Sequence, residues 1–438
     1  MAAPAVMAMG RHSRDQGAMS ETSPRAISGF RRWYALALLT GIFAANSIDR
    51  NVMAVVLEPV KAELQLSDAA MGTLVGAAHT VALALFVIPM GLLADRINRV
   101  WLVSGLVILW SALTSMGALA NSYLSMLLMR AGVGAAEAGS PPASVALISD
   151  MFPAKQRPTA LSTFYLAAAI GTGTIFLLGG YVAHHFGWRT VFIIAGVPGL
   201  LLGLLLLTTV RDPRPPVRPA ARGFGGSGRD FRLLLANPAL RWTCIGGTMA
   251  SVGQVAVFAW LPSFLIRVHG YSLIDAGLAT AAAAGLGKGL GTLFCGPLTR
   301  RAARDRREKL WRYPGAALIL SVPLVWCMAG AGSAAMAATL TFVLAMALGS
   351  WAGPSAAILM AGVETSRRGL ATSLYHLSTN LIGGFGALAT GAISDWLGGG
   401  KAIAPALAIT VSVNLLAAGG LFMACRRLST MPEEEEQA

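Results

Sequence analysis

Residues 71–120 read MGTLVGAAHTVALALFVIPMGLLADRINRVWLVSGLVILWSALTSMGALA. Two apolar runs flank one short charged joint, Gly91-Leu-Leu-Ala-Asp95-Arg96-Ile-Asn-Arg99. A helix that crosses a bilayer needs about 20 mostly apolar residues, and each run supplies that length. The joint is too short to hold a domain. It therefore reads as a tight turn between two membrane-crossing helices.

Windows of the same width, read outward from this stretch, give twelve predicted spans. They cover 33–57, 71–94, 100–120, 123–147, 159–183, 190–210, 242–266, 275–298, 313–333, 335–361, 370–393 and 402–425. The composition agrees. Of 438 residues, 55% are hydrophobic and 12% are charged, where a soluble domain carries about 25% charged. Mean hydropathy is +0.63. These values exclude a disordered chain, a nucleic-acid-binding domain and an ordinary soluble enzyme. The four cysteines all lie in apolar stretches, without a CxxC pair or a nearby histidine, so disulfides and zinc are not expected.

The net charge of +14 finds its explanation in where the basic residues sit. With the N-terminus inside, 27 of 34 Lys and Arg fall on the inner side. Only Lys61, Arg189, Arg267 and Lys401 fall in outer loops. Such a bias is the positive-inside rule, and it supports both the span count and the orientation. Residues 1–32 read as a cytoplasmic tail rather than a signal peptide. Residues 211–240, rich in Arg, Pro and Gly, read as a cytoplasmic linker, and 428–438 as an acidic cytoplasmic tail. That leaves two six-helix halves, 33–210 and 241–427. The halves look related. Arg157-Pro-Thr-Ala160 matches Arg368-Gly-Leu-Ala371 at an offset of 211, as do Gly180 with Gly391 and Gly187 with Gly398.

The charged joint can now be read for chemistry. It resembles the G-x-L-a-D-R-x-x-R signature of the major facilitator superfamily. The resemblance implies a cytoplasmic gate in which Gly91 admits a close helix and Asp95, Arg96 and Arg99 form a switchable charge network, with Arg157 in reach. The second copy, Gly296-Pro-Leu-Thr-Arg300-Arg301, has Arg300 where the acid would stand. The fold expected is an all-α membrane protein, twelve transmembrane helices in two six-helix bundles.

A charge inside a span costs a few kcal/mol, so each one left there calls for a reason. Asp49 and Arg50 lie in span 1. Adjacent helical residues point about 100° apart, so one should face a cavity and the other a neighbouring helix. In span 4, Arg130, Gly134 and Glu137 stand at i, i+4 and i+7 on one face. Together these make an intramembrane four-charge cluster. Opening the cavity would change the balance between desolvation and the arginines, which is how a proton site can be coupled to conformation. Asp49 and Glu137 are the expected proton-coupling pair. Arg50 and Arg130 suit a phosphate or carboxylate head group. Lys288, Tyr375, His376 and Asn380 are further candidates for substrate contact. Lys288 could instead snorkel, and His79 reads as a packing residue.

The N-terminal half also resembles the Spinster family of lysolipid and sphingolipid transporters. The carrying residues are Ser47-Ile-Asp-Arg50, Leu57-Glu-Pro-Val-Lys-Ala-Glu63, Leu66-Ser-Asp68, Arg130-Ala-Gly-Val-Gly-Ala-Ala-Glu137, Ile148-Ser-Asp-Met-Phe-Pro153 and Gly187-Trp-Arg189. The resemblance covers about residues 33–210. It implies that Asp49, Arg50, Arg130 and Glu137 are functional, and that the cargo is an amphiphile with an anionic head moved with protons. Walker loops, H-E-x-x-H and a nucleophile elbow are not found. The proton is the expected coupling ion, with no other cofactor. A monomer in a bacterial cytoplasmic membrane is expected, with both termini cytoplasmic and no nucleic-acid partner. A permease for small organic anions, and a receptor or passive lipid path, remain the alternatives.

Overall fold

The computed structural model describes residues 29–213, 232–234, 236–302, 304, 306–364 and 367–430. Most of the predicted N-terminal tail, residues 214–231 of the linker and residues 431–438 of the acidic tail lie outside the described residues. All regular structure among the described residues is helical. Nine helical stretches there are long and apolar enough to cross a membrane. The chain is a multi-pass membrane protein.

The three remaining windows are helical too, and they are the ones that carry polar groups. Span 1 is Gly29–Val55, with Asn46, Asp49, Arg50 and Asn51 in its second half. Span 4 is Tyr123–Glu137 followed by Ser140–Met151, interrupted ahead of Pro141 and Pro142. Span 11 is Arg368–Gly383 followed by Phe385–Trp396. Proline lacks the N–H that continues a helix and clashes with the preceding turn, so the break in span 4 falls where it must.

Polar caps set where spans begin. The side chains of Asn98, Ser122, Asn237, Ser272 and Ser333 each accept the N–H three residues on, satisfying a free donor at the start of spans 3, 4, 7, 8 and 10. The outward faces are apolar, with Leu85, Trp101, Leu128, Leu201, Phe294 and Leu416 all exposed. In water such a surface would drive aggregation; here it meets lipid.

Spans 1–6 pack mainly on one another, with span 1 on 5 and 6, span 2 on 4, and span 3 on 6. Spans 7–12 do likewise, with span 7 on 11 and 12 and span 9 on 10 and 12. Between the halves, span 5 meets span 8 and span 2 meets span 11. The repeat seen in sequence recurs in these contacts. A Cβ at Gly180 would lie 2.4 Å from the Leu273 carbonyl oxygen, and one at Gly391 would lie 2.2 Å from the Asp68 carbonyl oxygen. Arg157 Nε donates to Phe152 O at 3.0 Å, and Arg368 Nε to Val363 O at 3.3 Å, each five residues back.

The Gly180 and Gly391 contacts lie at one end of the molecule, away from the 91–99 joint. Charges reinforce that closed end. Asp68, fully buried, takes Arg267 Nη1 and Nη2 at 2.8 and 2.9 Å and Ser394 Oγ at 2.7 Å. Lys61 also bonds Asp68, and Arg267 Nε reaches Glu58 at 2.8 Å. Asp395 accepts the Asp68 and Ala69 backbone N–H groups at 2.9 and 2.7 Å. Nearby, Glu63 accepts Trp188 Nε1 and Arg189 Nη1 at 2.7 and 2.8 Å, and these two donors hold its carboxyl below the usual range.

At the 91–99 joint the expected network is only partly visible. Arg99 pairs with Asp150 at 2.5 Å, and its backbone N–H donates to Asp212 at 2.8 Å. Asp150 belongs to the N-terminal half and Asp212 to the start of the linker. Arg157 caps the Phe152 carbonyl, and Arg96 is exposed. The Asp95 side chain lies outside the described residues. Gly91, expected to admit a close helix, has nothing within 4 Å of its Cβ position. Among the described residues no neighbouring span reaches that position, so the close approach expected there is not made.

Candidate functional site

A cavity of about 620 Å³ lies between the two halves near mid-span. Its N-terminal wall includes Arg50, His79, Arg130 and Phe176, and its C-terminal wall Gln254, Phe258, Lys288 and Asn380. The volume is in the range that holds a small organic ligand.

The 100° between adjacent helical residues divides Asp49 from Arg50. Arg50 lines the cavity, with 37% of its side chain exposed. Its Nε donates to Glu137 Oε2 at 3.0 Å. Asp49 points the other way and is fully buried, facing Trp110 and Thr114 of span 3. Neither of its oxygens makes a hydrogen bond of good geometry.

Arg130, expected to suit an anionic head group, lines the cavity but makes its hydrogen bonds to backbone carbonyls. It is 1% exposed. Its Nε donates to Leu74 O and its Nη1 to the backbone carbonyl of Asp49, both at 3.1 Å. Leu74 lies in a wide π turn, Thr73–Ala77, in the first part of span 2. Such a turn shifts the helical hydrogen-bond register, and turns of this kind occur often at functional sites. Arg130 thus ties spans 1, 2 and 4 together while its edge still borders the cavity.

His79, read from sequence as a packing residue, joins the cluster. Its Nε2 stands 3.3 Å from Glu137 Oε2, the oxygen that Arg50 also uses. Its place follows from Gly134, whose missing side chain lets span 4 come against span 2. A Cβ there would lie 2.3 Å from His79 O. Gly134→Ala is expected to cost about 1–3 kcal/mol by forcing the spans apart. A lowered melting temperature of the purified protein checks this.

The span 11 candidates separate. Asn380 lines the cavity. Tyr375 does not: it is buried against Gly247, where a Cβ would lie 2.6 Å from its ring. His376 is exposed and also outside the cavity wall. Five residues on a helix turn through about 140°, so Tyr375 and Asn380 cannot share a face. Gln254 also lines the cavity, and its Oε1 accepts Trp351 Nε1 at 2.9 Å.

Comparison with known proteins places this arrangement among transporters. The sequence profile described as Major Facilitator Superfamily matches residues 39–387. An MFS-type efflux pump of Mycolicibacterium smegmatis is 30% identical over 392 residues, 88% of this chain and 90% of that one. The sphingosine-1-phosphate transporter SPNS2 of Xenopus tropicalis is 30% identical over 232 residues, 51% of this chain and 44% of that one. A solved bacterial homolog of the human lysosomal transporter Spinster, inward-facing and unoccupied, superposes with a TM-score of 0.81 at 27% identity. It covers 92% of this chain and 99% of that one.

Proposed function

The chain belongs to the major facilitator superfamily and is a membrane transporter, not an enzyme; on that premise we propose that it is a proton-coupled carrier of an amphiphile with an anionic head group. It works by alternating access, with twelve spans in two six-helix bundles that rock about the central cavity. It sits in a bacterial cytoplasmic membrane with the 91–99 joint and both termini inside. The closed far end then makes the conformation described above inward-facing.

The observation that carries this reading is the Arg50–Glu137 pair on the cavity wall, with His79 on the same carboxylate oxygen. While Glu137 is ionised, Arg50 is engaged. A proton on Glu137 releases the guanidinium, which then accepts an anionic head from the cavity. Because coupling between two binding sites is reciprocal, the bound anion also raises proton affinity at Glu137. Likeness to a sphingosine-1-phosphate transporter supports a lipid phosphate as cargo. So do the apolar walls of spans 5 and 8, where Tyr165, Phe176 and Leu293 would flank a hydrocarbon tail.

The test is uptake into proteoliposomes under an imposed pH gradient. Lysophosphatidate is expected to accumulate against its own gradient, and a protonophore to abolish the accumulation. Transport of short carboxylates but not lysolipids would favour a small-anion permease. Equilibration without accumulation would mean a passive path.

A further inference from the structure

Apart from Asp275 and Asp395 at the closed end, spans 7–12 contain no Asp or Glu. Lys288 lies inside this half of the membrane. It borders the cavity and has no carboxylate partner among the described residues, with only the Phe258 ring 5.9 Å from its Nζ. Burying an unpaired ammonium is costly, and a snorkelling lysine would reach for the membrane surface instead.

The surrounding sequence, Gly285-Leu286-Gly287-Lys288-Gly289-Leu290-Gly291, explains how the position is held. Gly287 and Gly291 press on span 10, where Cβ atoms would lie 3.0 Å from Phe342 O and 1.9 Å from Met346 O. Gly285 and Gly289 line the cavity and have nothing within 4 Å of their Cβ positions. With Thr292 they make one open stripe, i, i+3, i+4 and i+7 from Gly285. The lysine backbone is fixed from behind, and its side chain has clear space in front.

Lys288 is also the counterpart of His79. Each follows a π turn within its span, Thr73–Ala77 and Ala282–Gly287. Each carbonyl sits under a glycine of the paired broken span. The Gly134 Cβ would lie 2.3 Å from His79 O, and the Gly349 Cβ 2.2 Å from Lys288 O. The difference is the partner. His79 faces Glu137, whereas span 10 offers no acid at all.

We infer that Lys288 is the C-terminal wall of a two-sided anion clamp whose ligand is a phosphate monoester, held between Arg50 on one half and Lys288 on the other. This rests on the transport reading above and sharpens its substrate class. A monoester carries close to two negative charges on three terminal oxygens, so it can satisfy cations on both walls at once. A diester or a simple carboxylate has a single charge and satisfies one wall. Binding would also draw the two halves together around the ligand.

The test is binding to the purified full-length protein, comparing lysophosphatidate, lysophosphatidylcholine and glycerol 3-phosphate. K288M is expected to weaken lysophosphatidate by about ten- to a hundredfold, the loss of one charged hydrogen-bonding partner. Lysophosphatidylcholine binding should be unchanged, and K288R should restore lysophosphatidate. Should K288M fold poorly, K288Q is compared with K288R instead. Equal binding of lysophosphatidate by wild type and K288M, or equal loss of both lysolipids, would overturn the clamp and leave the Arg50–Glu137 reading standing. A wild-type protein that binds none of the three would remove both. If glycerol 3-phosphate binds as tightly as lysophosphatidate, with the same dependence on Lys288, the clamp holds and its ligand is a free phosphate monoester rather than a lipid.

Discussion

Proteoliposomes carrying Glu137→Gln or Asp49→Asn are expected to lose proton-driven accumulation, while the folded protein survives. The two variants should differ in stability. Glu137 is the partner of Arg50, and removing one member of a buried pair can cost about 3–5 kcal/mol when the other is left dry. Arg50 is more than a third exposed toward the cavity, so water takes over much of that role and the loss is smaller. Asp49 has no well-formed hydrogen bond to lose. Neutralising it removes the desolvation cost of a buried carboxylate, so Asp49→Asn should melt at the same temperature as wild type or higher. A variant that melts higher yet no longer couples is the signature of a charge retained for function rather than for folding. Pyranine-loaded vesicles report the coupling, and a melting curve in detergent reports the stability. Wild-type coupling in both variants would refute the assignment of these carboxylates.

Arg267→Met is expected to open the closed end. The guanidinium is 8% exposed and joins Asp68 and Glu58, both from the other half. Its loss leaves Asp68 fully buried with Lys61 as its remaining cationic partner. Breaking such a network costs about 3–5 kcal/mol, and about 5.5 kcal/mol is enough to carry a two-state equilibrium from 99:1 to 1:99. The cost falls on the closed arrangement alone, because these contacts exist only while the halves meet there. Spin labels at Gln65 and Trp396, both exposed at that end, should report a new population at longer distance. An unchanged distance distribution would show that the glycine contacts of spans 2, 5, 8 and 11 hold the end shut without the charges.

Much of this was readable from the chain because the membrane penalises charge so heavily. Asp49, Arg50, Arg130 and Glu137 stand out in apolar text, and the geometry of a helix already separates Asp49 from Arg50. The hydrogen bonding of Arg130 was not readable. It depends on a π turn at 73–77, and a sequence window built on 3.6 residues per turn does not register a local wide turn. The nearness of His79 to Glu137 was not readable for a related reason: Glu137 lies on another span, 58 residues away, and the Gly134 contact brings the two together. Lys61 and Arg267 were placed only as outer-loop charges. In sequence nothing ties Arg267 to Asp68, because their pairing depends on two halves meeting across a repeat. The twelve windows all fall on helices, yet the breaks at Gly139, Trp351 and Gly384 were invisible to a hydropathy average.

The three least apolar spans have a consequence for how the chain is made. Arg50 finds its partner 87 residues later, at Glu137. During synthesis span 1 emerges first, with an acid and a base and no counter-charge from span 4. On insertion scales each such residue at a helix centre disfavours entry by about 2.5–3.5 kcal/mol. Span 1 alone is therefore expected to insert poorly, and a chain truncated after span 1 should integrate less efficiently than one that extends through span 4. The charges proposed above to serve transport would then also govern when the first span enters the bilayer.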